Sequence, residues 1–175
     1  DMKKFMYTVS GVSLVLMFVF FGLTAGTEKR IFLTFGITAL TVCYHFTIRL
    51  AVGNIADLFK FNCRLKWFAP LPFEENLYKK LRVRRWKEYL PTYDEELYSL
   101  KSNSLIDVAS ETCRSEAVHE INILASLAAM LFAVLFDNFW VFCITSVLGA
   151  AVDLAFVIVQ RYNRPRLLRV CGRKK

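Results

Sequence analysis

Glu111-Thr-Cys-Arg-Ser-Glu-Ala-Val-His-Glu-Ile-Asn122 is a dense run of ionisable side chains that passes without a break into an apolar segment, residues 121–136. No Gly or Pro stands between Lys101 and Phe136, which predicts one continuous helix. At roughly 100° per residue, Glu111, His119 and Asn122 fall within about 80° of one another. Arg114 flanks that arc on one side and Glu116 on the other. A helix that carries these groups into a membrane must turn them toward the protein interior, a wet cavity or the headgroups, because lipid penalises them by several kcal/mol.

Working outward, the apolar residues gather into long runs. Of the 175 residues 55% are hydrophobic and 15% aromatic, with sixteen Phe. Residues 5–26 hold no charge, and 22 helical residues span about 33 Å, enough for a bilayer. The run is long for a signal peptide and lacks a small-residue cleavage site, so a retained helix is expected. Met2 reads as the natural start and Asp1 as a remnant ahead of it. The pair Gly22 and Gly26 could admit a neighbouring helix. Residues 31–51 return through the membrane with His45 and Arg49 on one face. Arg49 either snorkels to headgroups or lines the same pocket as His119. Residues 117–136 and 139–160 form two further spans joined by a turn at Asp137 and Asn138. Asp153 lies within the last span, where a lone carboxylate faces the bundle, and Arg49 is its expected partner. The expected fold is all-α and integral to the membrane: one domain over 1–175 with four transmembrane helices.

Residues 53–104 are too long for a plain connecting loop. They hold ten of the 23 Lys and Arg residues. Between Pro72 and Pro91, residues 73–89 read as an amphipathic helix lying at the interface, with Leu77, Leu81, Trp86 and Tyr89 toward lipid. Trp67 and Phe68 read as a second interfacial anchor. Pro165 is expected to end the last helix near Asn163 or to begin a short new one. The formal net charge is +8. In a chain this apolar it signals orientation and an anionic leaflet rather than nucleic acid. Four spans put the N-terminus, residues 53–104 and the basic tail 161–175 on one side, with two, ten and seven cations. By the positive-inside rule that side is the cytoplasm of a multi-pass cell-membrane protein, and both termini face it. Cys63, Cys113 and Cys171 are then expected to stay reduced. No Cys-x-x-Cys spacing and only two His argue against a structural zinc site, and no metal or cofactor is expected.

Three motifs carry candidate chemistry. Gln160-Arg-Tyr-Asn-Arg164 sets five hydrogen-bonding side chains where a helix leaves the membrane, and Arg161 and Arg164 can share a face suited to phosphate or carboxylate. Arg82, Arg84 and Arg85 beside Trp86 and Lys87 form either a lipid-facing basic surface or a seat for the phosphates of an acyl carrier. His119 has Glu116 at i−3, a pairing that can orient one ring nitrogen and leave the other as a general base. Dinucleotide, P-loop, nucleophile-elbow and zinc-protease signatures are missing.

Val159-Gln-Arg-Tyr-Asn-Arg-Pro-Arg-Leu167, Val83-Arg-Arg-Trp-Lys87 and Glu111-Thr-x-Arg-x-Glu-x-x-His119 together resemble the glycosyl-4,4′-diaponeurosporenoate acyltransferases, small integral membrane proteins of staphyloxanthin-type carotenoid synthesis. The similarity runs from about Leu77 to Leu168. It implies transfer of a fatty acyl group from an acyl-CoA-like carrier, the co-substrate, to a hydroxyl of a glycosylated lipid acceptor in the bilayer. His119 is then the base, with Glu116 or Glu111 orienting it. Arg114, Tyr162 and Asn163 serve the oxyanion and substrate. Arg82, Arg84, Arg85, Arg161 and Arg164 hold phosphates, and Gln160, Trp86 and Asn122 complete the substrate contacts. Another lipid-modifying enzyme, such as a hydrolase, and a non-catalytic membrane partner or transporter are the alternatives. The oligomeric state is left open.

Overall fold

The computed structural model describes residues 2–91, 96–99, 101–136 and 138–173, with side chains for all of these except 96 and 171–173. Asp1, Asp137, Lys174 and Lys175 lie outside the described residues, as do the side chains of Cys171 and Arg173. Four helical runs are long and apolar enough to cross a membrane. They are α1 (Met2–Thr27), α2 (Arg30–Ala56), α5 (Leu105–Ala128) and α7 (Phe139–Arg173). A 3₁₀ turn and the short α6 (Ala133–Phe136) extend α5 toward α7. No strand is present among the described residues.

The helices form two antiparallel hairpins, α1 with α2 and α5 with α7, and α2 joins them by packing on both α5 and α7. Glu28, with φ 54°, turns the chain between the first pair in the left-handed region. Tyr44 donates to the Ala125 carbonyl at 3.0 Å and pins α2 to α5. Ile37, Ala133 and Phe142 make a dry core near the tight turns, with Phe21 and Leu33 packed on it. The opposite end holds the ions, so the bundle is apolar at one end and polar at the other. Lipid-facing positions such as Phe18, Val134 and Trp140 are exposed, as apolar surface in a bilayer should be.

Several expectations need correction. Methyl groups added at Gly22 and Gly26 would meet nothing, so that pair admits no helix of this chain. The helix expected to run unbroken between Lys101 and Phe136 begins at Leu105 and gives way after Ala128 to a 3₁₀ turn (Ala129–Phe132) before α6. Ser104 caps its start reciprocally with Asp107, which satisfies the first free N–H groups. The amphipathic helix expected over 73–89 is broken into α3 (Glu74–Lys80), α4 (Val83–Trp86) and a 3₁₀ turn (Lys87–Tyr89). Arg82 sits between them with φ 51°, a left-handed residue that no helix continues through. Its cause is anchoring on both sides: Glu74 is bound to α7 and Val83 is fully buried. Leu77, Leu81 and Tyr89 remain exposed, but Phe68 is buried and only Trp67 keeps an exposed anchor position. Helix α7 does not end at Pro165; it runs through it to Arg173. Proline removes one backbone hydrogen bond there, and the anchored side chains of Arg161 and Arg164 hold the turn it would loosen.

Cys63 and Cys113 do not stay reduced. They form a disulfide with Cα atoms 5.9 Å apart. Residues 57–72 lie across α5, where Ser110 donates to the Phe61 carbonyl at 2.9 Å, and this contact brings the two sulfurs together.

Candidate active site

Two polar assemblies occupy the ionic end of the α5–α7 hairpin. The outer one is built on Glu116, which is fully buried. Its carboxylate accepts from Arg161 at 2.5 Å and from Arg164. Arg161 also donates to Glu74 at 2.7 Å and to the Ala69 carbonyl at 3.0 Å. Arg164 donates to the Phe68 carbonyl at 3.0 Å and lies over the Phe68 ring. Two guanidinium and two carboxylate groups thus clamp α3, α5, α7 and the 66–69 turn together. Both charges must be paired at this burial, and the forked guanidinium groups do that with several bonds each.

This geometry reassigns three expected site residues. Arg161 and Arg164 serve an internal carboxylate and have no face left for phosphate. Glu116 is saturated by them and does not orient His119. Tyr162 also turns away: its ring packs edge-on to Tyr78 at 5.7 Å, and its hydroxyl accepts from Arg166 at 2.7 Å. Tyr78 is itself held against this clamp. Burial, with the Glu74 charge adding to it, pushes its hydroxyl up to about 12, so it remains a neutral phenol.

The inner assembly surrounds a cavity of about 770 Å³. Of the expected residues, Glu111, Arg114, His119, Asn122, Gln160 and Asn163 line it. The His119 ring stacks on Phe156 at 4.5 Å and 5°. Its Nδ1 lies 2.8 Å from an oxygen of Asp153, which is 1% exposed. The other Asp153 oxygen accepts from Arg49. Arg49 in turn donates to Ser126 at 3.2 Å and to the His45 carbonyl at 2.8 Å. Gly149 makes this approach possible, because a Cβ there would stand 3.0 Å from the Arg49 guanidinium and 3.2 Å from the Ser126 hydroxyl. An ionised Asp153, held by Arg49, accepts the Nδ1 proton and leaves the Nε2 lone pair available. Nε2 has no protein partner among the described residues. The arrangement is that of a general base oriented by a buried carboxylate.

The mouth of the cavity is charged and more open. Arg114 shares its Nε–H between the two Glu111 oxygens at 2.8 and 3.0 Å, donates to the same carboxylate from a second nitrogen, and also binds Asp57. Both its role as an oxyanion donor and that of Glu111 as orienter of His119 are thereby displaced. Lys87, the last residue of the basic motif, lines the cavity and donates to Asn163 at 3.1 Å. Gln160 reaches the Tyr98 hydroxyl at 3.5 Å. Burial pushes that hydroxyl above its ordinary value, which keeps it protonated. Arg82, Arg84 and Arg85 are exposed and outside the cavity wall. Trp86 donates to its own chain at the Leu81 carbonyl. Among the described residues no group of three His, Cys, Asp or Glu is placed to hold a metal.

Asp153, Arg49 and His45 complete the site. The sequence suggests the Arg49–Asp153 pair and offers, as one of two readings, that His45 and Arg49 line the pocket of His119; it gives no sign that Asp153 itself meets His119. The missing signal was hairpin register. Counted from Phe136 on one side and Asn138 on the other, His119 and Asp153 lie 17 and 15 residues along the antiparallel helices, and both project into the same bundle.

The comparisons with known proteins add one finding about descent. A family described as glycosyl-4,4′-diaponeurosporenoate acyltransferase matches residues 64–173, more than half of the chain. No curated protein and no solved structure matches it.

Proposed function

The chain belongs to the glycosyl-4,4′-diaponeurosporenoate acyltransferase family, and on that footing we propose that its cavity is the chamber in which a fatty acyl group passes from a thioester carrier to a sugar hydroxyl of a glycosyl carotenoid in the bilayer. The observation that carries this reading is the His119–Asp153 pair in the cavity wall. His119 Nε2 takes the proton of the acceptor hydroxyl as its oxygen attacks the thioester carbonyl. The C–S bond then breaks, and the same proton passes to the departing sulfur. Acceptor and donor become ester and free thiol, with no redox change. Asp153 and Arg49 keep the imidazole in the required tautomer through both transfers. Lys87 and the exposed Arg82, Arg84 and Arg85 stand on the approach side and suit the phosphates of a carrier such as acyl-CoA.

The reaction end faces the cytoplasm in this proposal. Nineteen of the 23 Lys and Arg residues sit at that end in the sequence, which the positive-inside rule assigns to the inner side. The Cys63–Cys113 disulfide pulls the other way, since cytoplasmic thiols are kept reduced. Cys113 is fully buried and Cys63 only partly so, which leaves the Cys63 sulfur as the point where a soluble thiol would attack.

The test is acyl transfer in vesicles containing the purified chain, supplied with glycosyl-4,4′-diaponeurosporenoate and a long-chain acyl-CoA. Formation of the acylated product is expected, and His119→Ala should lower its rate by about 10²- to 10⁴-fold. Full activity in that variant would remove the base assignment.

A further inference from the structure

Below the reacting end, the cavity wall carries polar atoms that the acyl-transfer step does not use. His45 and Asn122 both line the cavity, at 6% and 2% exposure. His45 Nε2 and Asn122 Oδ1 have no hydrogen-bond partner among the described residues. A buried polar group left unpaired is costly, and more so in a bundle whose surroundings are hydrocarbon. Two such atoms, on side chains that both line one cavity, indicate that a small side-chain adjustment toward the cavity lets something else complete them.

The chemistry of the pair narrows what that is. An imidazole and a carboxamide are neutral and offer both donors and acceptors. The cation nearest them, Arg49, is committed to Asp153, Ser126 and the His45 carbonyl. This part of the wall therefore suits hydroxyl groups, each of which donates and accepts, and does not suit a phosphate. Val42, Phe46, Leu148 and Val152 give the cavity apolar wall here, with Thr145 the added hydroxyl, already bonded to its own helix. Leu148 and Val152 are 62% and 56% exposed, so this limb opens sideways on the lipid-facing surface of α7. A ligand that reaches His45 and Asn122 thus arrives from the bilayer with an apolar tail beside it. The charged mouth at Lys87, Arg114 and Glu111 lies at the other end of the cavity.

We infer that His45 and Asn122 form the seat for the hydroxyl-bearing head group of the lipid acceptor, which enters laterally past Leu148 and Val152. The inference rests on reading the cavity as the acyl-transfer chamber, and it divides that chamber between the two substrates. Asn122 is three residues from His119 on α5, one helical turn along the same side. A sugar held at Asn122 presents a neighbouring hydroxyl to His119 Nε2, while the acyl carrier meets it from the mouth.

Binding decides the matter independently of turnover. The probes are glycosyl-4,4′-diaponeurosporenoate and its sugar-free parent acid, titrated against the purified full chain in lipid nanodiscs by polyene quenching of tryptophan fluorescence. The wild-type chain should bind the glycosyl form at least about tenfold more tightly, the scale of one or two hydrogen bonds to otherwise unpaired groups. In Asn122→Ala and in His45→Ala that preference should shrink to about threefold or less while affinity for the parent acid is kept. His45→Gln, which restores a neutral donor and acceptor, should recover part of it. Unchanged preference in both alanine variants would overturn the inference. So would an equal loss of affinity for both probes, because the residues would then merely shape the cavity. Lack of acyl transfer by the wild-type chain is a separate outcome that strikes the chamber reading and not this preference.

Discussion

Glu116 illustrates how a site-like residue becomes a structural one. It lies three residues before His119, and on one helix that spacing suggests a base and its orienter. In the fold it is fully buried between two guanidinium groups of α7, and His119 is oriented from the other helix by Asp153. The polarity of the 111–122 stretch and of residues 160–164 was legible in the sequence. The partner of each group was not, because a carboxylate near in sequence competes with one brought close only by folding. The fold brings Glu111, Arg114, His119, Asn122, Gln160 and Asn163 to the cavity, whereas Arg161, Tyr162 and Arg164 are not part of its lining. Glu116→Gln removes one charge from a buried cluster; Arg161 keeps Glu74, but Arg164 is left without its carboxylate. The substitution should destabilise the chain by about 3–5 kcal/mol, read as a lowered unfolding temperature in detergent. The folded fraction should retain acyl transfer, which distinguishes a clamp from a catalytic group.

At the scale of elements, the apolar runs announced four spans, and the capping pair Ser104 and Asp107 marks where the third begins. The segment between spans two and three was less legible. Its amphipathic pattern over 73–89 favours one helix, yet Arg161 ties Glu74, Val83 is buried, and a left-handed Arg82 separates two short helices. Tertiary anchoring overrode local propensity. The same segment is cross-linked to α5 by Cys63 and Cys113, 50 residues apart. Closing a loop of that length in the unfolded chain contributes up to about 4 kcal/mol. Cys63→Ser should therefore lower the unfolding temperature, and reductant should lower that of the wild-type chain but not of the variant. An equal response of both to reductant would mean that the cross-link does not hold this segment.

For the whole molecule, one end of the bundle is sealed by apolar packing and the other is held by ion pairs around a chamber. The proposed orientation rests on the charge count and is tested with reporter fusions at the C-terminus and in the turn between α1 and α2. The C-terminal fusion should report the cytoplasm and the turn fusion the opposite side; the reverse result would put the reaction end outside. The division of labour within the chamber rests on a pair of groups drawn from two helices. Register explains why that pair escaped a reading of single stretches: no local motif contains both His119 and Asp153. If they act as one unit, their losses cannot multiply. Rates of acyl transfer for His119→Ala, Asp153→Asn and the double variant measure this most directly, each normalised to folded protein. The account predicts a large loss in each single variant and no further loss in the double beyond that of His119→Ala. Independent, multiplying losses, or a wild-type rate in His119→Ala, would contradict it.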